Sequence, residues 1–559
     1  MLIDGRSVPS GSTLQSDVVV VGSGPAGLTL AQELASHSIK VTLLEAGGKN
    51  HNRADNAALD GDGSGAPFPL VRSRRRGFGG TSGHWEPETG LRVRPLDAID
   101  FDARPGRPND SWPFRPDELA PHYERAHEII GLRSGYTPDR WFTAGSPTPL
   151  AWDGGPQLAM FQFADHDCFV RRYEAIQGSR HIDLVFRAAV GEIVLGGDGS
   201  AVERMVVFGE HGRRWDVKAK VFVLACGGID NARILLASPG RTGAGVGNEF
   251  DNVGRYFMDH LSVDTGVIVP RAPISAGVFG HHRNGSGHYQ PMLWLGSDVI
   301  AREGLPNAAF WVEERPSRYT SDGVSAARSL RLAIHGRPRQ DVGARLAGAL
   351  KGSGDLVAYS AERLLPRLGR RVLGMRIMTE QLPNRDSRIK LSPRRDALGI
   401  PLVDVDWKIT SADLDVISEH QAHLARLLDA RGVASLASRF DRRQHRLPVM
   451  SNYHHLGTTR MHVDARSGVV DPEGRVHSTM NLYAVGGSMF PTGGYLNPTL
   501  TIVALALRTA DVLRRQLAPA RADQLRAVRN QDTLDGRTSM RSQSPIFQAP
   551  NRGACSNDR

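Results

Sequence analysis

Three glycines and one acid near the start of the chain have the types and spacing to hold a dinucleotide. Gly22, Gly24 and Gly27 stand in the run GSGPAG, and Glu45 follows about twenty residues on. In such a fingerprint the first glycine makes the tight turn, the second lets a pyrophosphate approach the backbone, and the third allows close helix–strand packing. The unpaired N–H groups at the following helix start face the phosphates. An acid placed like Glu45 accepts the hydroxyls of the adenosine ribose. The elements that must position these groups surround them: an apolar, β-branched strand at Val18–Val21, a helical pattern through Leu28, Leu30, Ala31 and Leu34, and a second strand at Ile39–Leu44. A carboxylate at 45 disfavours a phosphorylated ribose; it does not separate FAD from NAD.

Two further stretches are rich in glycine. Arg74–Trp85 reads RRRGFGGTSGHW, and so many glycines beside two aromatics imply backbone passing close to something flat. Near the C-terminus, YHHLGTTRM (453–461) precedes GGSMFPTGGYLNP (486–498), after which Thr499–Leu517 carries an apolar helical pattern. Asn497 stands where an N-cap is expected, with Pro498 at the first turn.

A chain of 559 residues with 61 glycines and 33 prolines is long enough for two domains with many turns. The formal charge of +10 comes from arginine clusters without aromatic interleaving or a nucleic-acid motif, so it reads as a solvated basic surface, and no nucleic-acid partner is expected. No window has the length and apolarity of a membrane span. The opening MLIDGRSVPSGS lacks a basic segment followed by an apolar one, so no secretory signal is expected and the cytoplasm is the default location. Cys168, Cys226 and Cys555 form no CxxC pair, so neither a disulfide framework nor a metal site is expected.

Along the chain, Pro116–Ile130 reads as an amphipathic helix, followed by a loop to Phe161. Val185–Gly191, Ile193–Leu195 and Val202–Phe208 read as a small meander. Val221–Ala225, running into Cys226-Gly227-Gly228 and a helix at Asp230–Ala237, returns the chain to the first sheet. Strand patterns at Val263–Val269, Pro291–Leu295, Ala308–Val312, Val372–Glu380, Ser387–Leu391 and Leu402–Trp407 are expected to form one antiparallel sheet. Ser411–Ala430 is an amphipathic helix. The basic stretch 338–371 resembles an insertion of helical pattern. Beyond Ala518 the composition reads as a loose tail.

Taken in order, these blocks resemble the glucose–methanol–choline (GMC) family of FAD-dependent oxidoreductases, from about Asp17 to about Leu517. The resemblance rests on GSGPAG with Glu45, GGTSGHW (79–85), SWPF (111–114), ACGGIDNARILLAS (225–238), VGRYFMDH (253–260), EQLPNRDSRIKLS (380–392), HHLGTTRM (454–461) and NLYAVGGSMFPTGGYLNPTLTIVALALRTAD (481–511). It implies an α/β fold with a discontinuous Rossmann-type FAD-binding domain and an α+β substrate domain containing an antiparallel sheet. The implied divisions are 1–160 and 161–260 for the first two cofactor-binding parts, 261–450 for the substrate domain, 451–517 for the return carrying the catalytic residues, and 518–559 for the tail.

The resemblance also implies FAD as cofactor and hydride transfer from an alcohol carbon to flavin N5. His454 matches the family's base and Asn497 its hydrogen-bonding partner, whereas His455 is expected to point away and bond protein groups. Cofactor contacts are expected from Gly22, Gly24, Gly27, Glu45, Gly79, Gly80, Thr81, Ser82, His84, Gly487, Ser488, Pro498 and Thr499. GGTSGHW is nearest to the pyranose 2-oxidase-like branch, which makes His84 a candidate for covalent flavin attachment, although Gly83 rather than Thr precedes it. The implied activity is oxidation of an alcohol on a sugar, glycoside or other polyol, with oxygen or another electron acceptor reoxidising the flavin. The alternatives are a hydroxynitrile-type lyase and a non-catalytic, flavin-stabilised binding protein.

Overall fold

The fingerprint folds as its spacing dictates in the computed structural model, which describes residues 1–85, 90–103, 107, 109–138, 141, 150–272, 276–284, 287–316, 324, 327, 346–347, 350–364, 371–440 and 449–538. Strand Thr13–Val21 leads through Gly22–Gly24 into helix Pro25–Ser36 and then into strand Val41–Glu45. Val18–Val20, Leu28, Leu30 and Leu43 have no exposed surface, because this strand pair is covered on both faces. Met1–Ala510 form one compact unit and Asp511–Arg559 another.

The first sheet runs in the order Leu2–Asp4, Ile182–Phe186, Val41–Glu45, Thr13–Val21, Arg214–Leu224, Val202–Phe208, Ala189–Leu195, and Leu482–Ala484 pairs with the end of Arg214–Leu224. Its first five strands and Leu482–Ala484 are parallel; Val202–Phe208 and Ala189–Leu195 close it antiparallel. The expected meander is therefore shifted. Ile182–Phe186 is a strand of the parallel core, and the chain turns at Arg187, in the left-handed region at φ 53°, before the meander starts. Leu224 pairs with Val21 from about two hundred residues on, and Ala484 pairs with Leu224 in turn, which is how the C-terminal glycine block reaches the fingerprint.

The second sheet is antiparallel, in the order Ala434–Ser438, Leu261–Pro270, Arg371–Thr379, Ala308–Pro316, Gly287–Trp294, Gln157–Ala164, Leu91–Val93. Two expectations are corrected here. Gln157–Ala164 begins inside the stretch read as loop, because the alternation in QLAMFQFA was outweighed by the surrounding glycines and prolines. Arg388–Arg395 and Pro401–Asp406 do not join this sheet; they pair with each other and with Gly61–Asp62 in a separate three-stranded sheet. There a Cβ on Gly61 would lie 2.4 Å from the carbonyl oxygen of Val403, so the approach requires glycine.

Helices Pro116–Ile130 and Ser411–Ala430 form as expected, the second opened by a capping box between Thr410 and Asp413. Of the basic stretch 338–371, helix Ser353–Leu364 is described and most of the remainder lies outside the described residues. The final helix, Thr499–Thr538, overruns the expected start of the tail at 518. Residues 518–538 are polar but rich in Ala, Arg, Gln and Leu, and helix propensity does not require an apolar face. Cys555 lies outside the described residues. No described helix is long and apolar enough to cross a membrane.

Candidate active site

A cavity of about 710 Å³ opens between the fingerprint, the Gly-rich block and the second sheet. Its floor is main chain. A Cβ on Gly22 would lie 2.7 Å from the carbonyl oxygen of Ala225, and one on Gly27 only 1.9 Å from that of Gly22, so both positions are closed to side chains. Gly24 and Gly227 differ: a Cβ on either would meet nothing within 4 Å. These two stand at the starts of helices Pro25–Ser36 and Gly227–Ala237, neither of which has a side-chain cap. Open space beside uncapped helix N-termini fits an elongated anionic dinucleotide.

Of the residues expected to serve the cofactor, Gly22, Gly24, Glu45, Gly80, Thr81, Ser82, His84, Gly487, Pro498 and Thr499 line this cavity. Gly27, Gly79 and Ser488 do not. Gly27 keeps the packing role expected of it. Gly79 (φ 84°) shapes the turn and donates its N–H to Ser23 at 3.0 Å. Ser488 is a correction: its fully buried hydroxyl bonds Thr459 Oγ1 at 2.7 Å and Asn231 Nδ2 at 2.9 Å, so it ties the C-terminal block to helix Gly227–Ala237. Glu45 is buried and accepts four bonds, from Ser23 N–H and Oγ–H and from the N–H groups of Gly47 and Gly77. His84 Nε2 donates to the carbonyl of Arg74 at 3.2 Å, and burial pushes the imidazole below its usual pKa.

The histidine segment is clamped from two sides. The carbonyl of His455 passes so close to Gly228 and Gly487 that a Cβ on either would come within 2.7 Å of it. On the other side, Met258 and Leu456 exchange both backbone bonds, at 3.1 and 3.0 Å. That pairing brings VGRYFMDH alongside HHLGTTRM. The Asp259 carboxylate then accepts the N–H groups of Tyr453 at 3.1 Å and His454 at 3.0 Å, together with the Ser451 hydroxyl. Tyr453 sits at φ 65°, a costly conformation for a residue with a side chain, and these bonds hold it there. Burial pushes the Asp259 carboxyl up to about 6 against the opposing pull of its donors.

Three side chains follow in series. His260 Nε2 lies 3.1 Å from the carbonyl of Gly493, His260 Nδ1 lies 2.8 Å from His454 Nδ1, and His454 Nε2 lies 3.2 Å from Asn497 Nδ2. A carbonyl only accepts, so His260 carries its proton on Nε2 and offers a lone pair at Nδ1. His454 must then donate from Nδ1, which leaves its Nε2 as an acceptor facing the amide of Asn497. Burial, reinforced by the neighbouring imidazoles of His260 and His455 and by the Arg92 guanidinium, holds His454 well below the usual imidazole range, and burial takes His260 down to about 4. Both rings are therefore neutral near pH 7.

Two expectations change. Asn497 is not the helix cap: the helix starts at Thr499, so Pro498 takes the cap position and Asn497 is free to turn to His454. Asn497 Oδ1 is buried without a partner. His455, expected to point away and bond protein groups, packs against Phe68 at 5.4 Å and Phe257 at 6.2 Å, yet it borders the same cavity and its Nε2 is buried without a hydrogen bond. His260 and Asp259 were quoted only as letters of a motif. Their link to His454 depends on a contact across almost two hundred residues, for which the sequence carries no local signal.

Comparison with known proteins gives concordant matches. A profile of the GMC oxidoreductases matches residues 383–506, and one of the pyridine nucleotide-disulphide oxidoreductases matches residues 16–61. The chain is 28% identical to paromamine 6'-oxidase of Streptomyces fradiae, covering 90% of this chain and 92% of that one. It is 24% identical to the fructose dehydrogenase large subunit of Gluconobacter japonicus, over 91% and 99%. Among solved structures, pyridoxine 4-oxidase from Mesorbium loti superposes with a TM-score of 0.54 at 18% identity, covering 89% of this chain and 98% of the other.

Proposed function

Because the chain belongs to the GMC oxidoreductases, FAD-dependent enzymes that act on CH–OH groups, we propose that it oxidises an alcohol on a sugar, glycoside or other polyol, with His454 as base and Asn497 as orienting group. The observation that carries this reading is the acceptor state of His454 Nε2, fixed by the series Gly493–His260–His454–Asn497 within the cavity.

Bound FAD would supply the two-electron acceptor for hydride leaving the alcohol carbon. Gly22, Gly24 and Glu45 would hold its adenosine diphosphate end, and the Gly80–His84 turn with Gly487, Pro498 and Thr499 would border its ring. An alcohol is a poor hydride donor until its proton departs, so the base must sit at the oxygen. An alcohol oxygen placed between His454 and Asn497 replaces their mutual bond with two: its O–H donates to Nε2, and Asn497 Nδ2 donates to the oxygen. Proton transfer makes His454 cationic, and the bond from its Nδ1–H to His260 then strengthens, because a charged donor holds a neutral acceptor more tightly. His260 needs no proton movement to do this; it positions the ring. His84 borders the cavity with Nδ1 unengaged, and mass spectrometry of its peptide after acid precipitation decides whether it carries flavin covalently.

The test is anaerobic mixing of the purified protein with sugars, glycosides and simple alcohols while its flavin absorbance is followed. Bleaching by a sugar or glycoside is the expected result. Turnover to a carbonyl product without bleaching overturns the redox reading.

A further inference from the structure

The second sheet turns one face toward the cavity, and two arginines on that face are treated differently. Register places Arg92 opposite Phe163, Gln290 opposite Phe161, Trp311 opposite Arg376, and Arg376 opposite Asp264. Residues directly opposite one another share a face, as do residues two apart. Arg376 is neutralised by Asp264, with Nε to Oδ1 at 2.8 Å. Arg92 lies over Trp311 at 4.1 Å and near Phe163 at 5.6 Å, and lines the cavity that also contains His454. Its Nε is buried without a hydrogen bond, and among the described residues no carboxylate pairs with it. Burial and the charge of Arg376 push the guanidinium down to about 9, and its charge adds a minor part to the lowering of the His454 imidazole, which burial dominates.

We propose that Arg92 is an anion subsite, and that the alcohol substrate carries an acidic oxygen group, a carboxylate or a phosphate, placed against the guanidinium while its hydroxyl lies between His454 and Asn497. This rests on the alcohol-oxidation reading. An unpaired charge held half-buried in a cavity is costly, and the protein gains from any ligand that neutralises it. The aromatic wall fixes the plane of the guanidinium and leaves its edge as the donor surface, which suits a forked bond to a carboxylate or phosphate. The same charge disfavours ammonium-bearing ligands.

The test uses pairs that share a sugar ring and differ by an anionic group at C6: methyl glucosides against methyl glucuronosides in both anomers, and glucose against glucose 6-phosphate. Binding is measured by calorimetry on holoenzyme pre-reduced so that it cannot turn over, and reactivity by anaerobic flavin reduction on the oxidised enzyme. The anionic member of at least one pair is expected to bind about 10–100-fold more tightly, and Arg92→Gln to abolish that advantage while changing the neutral member less than threefold. Arg92→Lys should retain part of it, since the charge remains and the fork is lost. The pair that shows the gain tells carboxylate from phosphate. Arg92→Gln removes an unpaired charge and is expected to fold; its melting temperature and flavin content check this. Equal binding of both members in every pair overturns the subsite, as does an advantage that survives in Arg92→Gln or a loss in that variant equal for neutral and anionic ligands. If the anions bind through Arg92 and no alcohol bleaches the flavin, the subsite stands and the alcohol-oxidation reading falls.

Discussion

The floor and the roof of the cavity are made from different chemistry. On the floor, Gly22, Gly24, Gly227 and Gly487 present main chain, and the two lining acids are engaged, Glu45 by four donors and Asp230 by Arg74. On the roof, Arg92, Phe163 and Trp311 present side chains from three strands, one of them a charge without a partner. Between them stands the series His260–His454–Asn497, whose members come from three separate segments. A floor of backbone can hold one kind of molecule, because N–H groups and helix termini cannot be retuned by substitution. A roof of side chains can be changed position by position without disturbing the fold. Under the proposed function, the floor answers to the cofactor and the roof to the substrate.

The sharpest way to break that division is at its boundary. His454→Ala should lower the rate of flavin reduction by a factor of ~10²–10⁴, the usual worth of a positioned general base, while flavin content stays unchanged. His455→Ala should cost far less, since its ring only packs against Phe68 and Phe257 and its Nε2 has no partner. Because His454 is held below the usual imidazole range, the acid limb of kcat/KM should fall below pH 6.5. Stopped-flow reduction with substrate deuterated at the reacting carbon reads the chemical step. A wild-type rate in His454→Ala with a slow His455→Ala would exchange their roles.

The same comparison explains what could be read from the sequence. The fingerprint was legible because Gly22 and Gly27 are required by local sterics, and local sterics leave a spacing in the chain. Helix Pro116–Ile130 was legible for a similar reason, through its first-turn proline and acids. The roof was not. Arg92 is one arginine among many until Leu91–Val93 pairs with Gln157–Ala164, and that pairing spans about seventy residues of loop and helix. Nor was His260, whose role depends on the Met258–Leu456 pairing. Asn497 was read from the local sequence as a cap and given a site role only by resemblance; its side chain had two uses, and the fold turns it to His454.

A second test compares buried imidazoles in and out of the site. His260 is 1% exposed and His420, within helix Ser411–Ala430, is 0% exposed; burial pushes each down to about 4. A depressed histidine contributes stability that is complete above the unfolded pKa and is lost as pH falls toward the folded one, at up to about 1.4 kcal/mol per pH unit for each group. Asp259 has the opposite sign: raised to about 6, it contributes stability at low pH that is lost as pH rises through 6. The histidines should prevail, so the melting temperature is expected to drop between pH 6.5 and 4. His420→Leu should make that drop shallower without altering flavin reduction. A drop of unchanged steepness would show that His420 does not carry this linkage.

The positioning of His454 should respond less strongly. His260→Leu removes the acceptor for the Nδ1 proton of His454, leaving a buried donor unpaired at a cost of about 1–3 kcal/mol. The expected result is a drop in flavin reduction of roughly 5–150-fold, with kcat affected and KM nearly unchanged. His260→Gln places a carbonyl oxygen near the same donor and should recover much of the rate. A merely structural role for His260 would instead lower stability in both variants alike and leave the pH profile of kcat unmoved.

The smallest effect lies on the floor, where it separates backbone from side chain. Every oxygen of Glu45 already accepts two bonds, three of the four donors being main-chain N–H groups of Ser23, Gly47 and Gly77. A carboxylate has about four acceptor sites, so a ribose hydroxyl must displace one donor, and only the Ser23 hydroxyl, 2.6 Å from Oε2, is able to rotate away. Ser23→Ala therefore removes a competitor of the cofactor rather than a contact. Its loss costs one neutral-to-charged hydrogen bond in the free protein, and binding recovers that cost when the ribose takes the vacated site. FAD affinity should stay within about threefold of wild type or rise, a change under 1 kcal/mol. Glu45→Ala removes the acceptor itself and leaves those three N–H groups unpaired, so it should release FAD and destabilise the apoprotein. Fluorescence titration of apoprotein with FAD measures both variants. Weakening of Ser23→Ala by tenfold or more would mean that the serine hydroxyl, and not the carboxylate it covers, is the group that meets the cofactor.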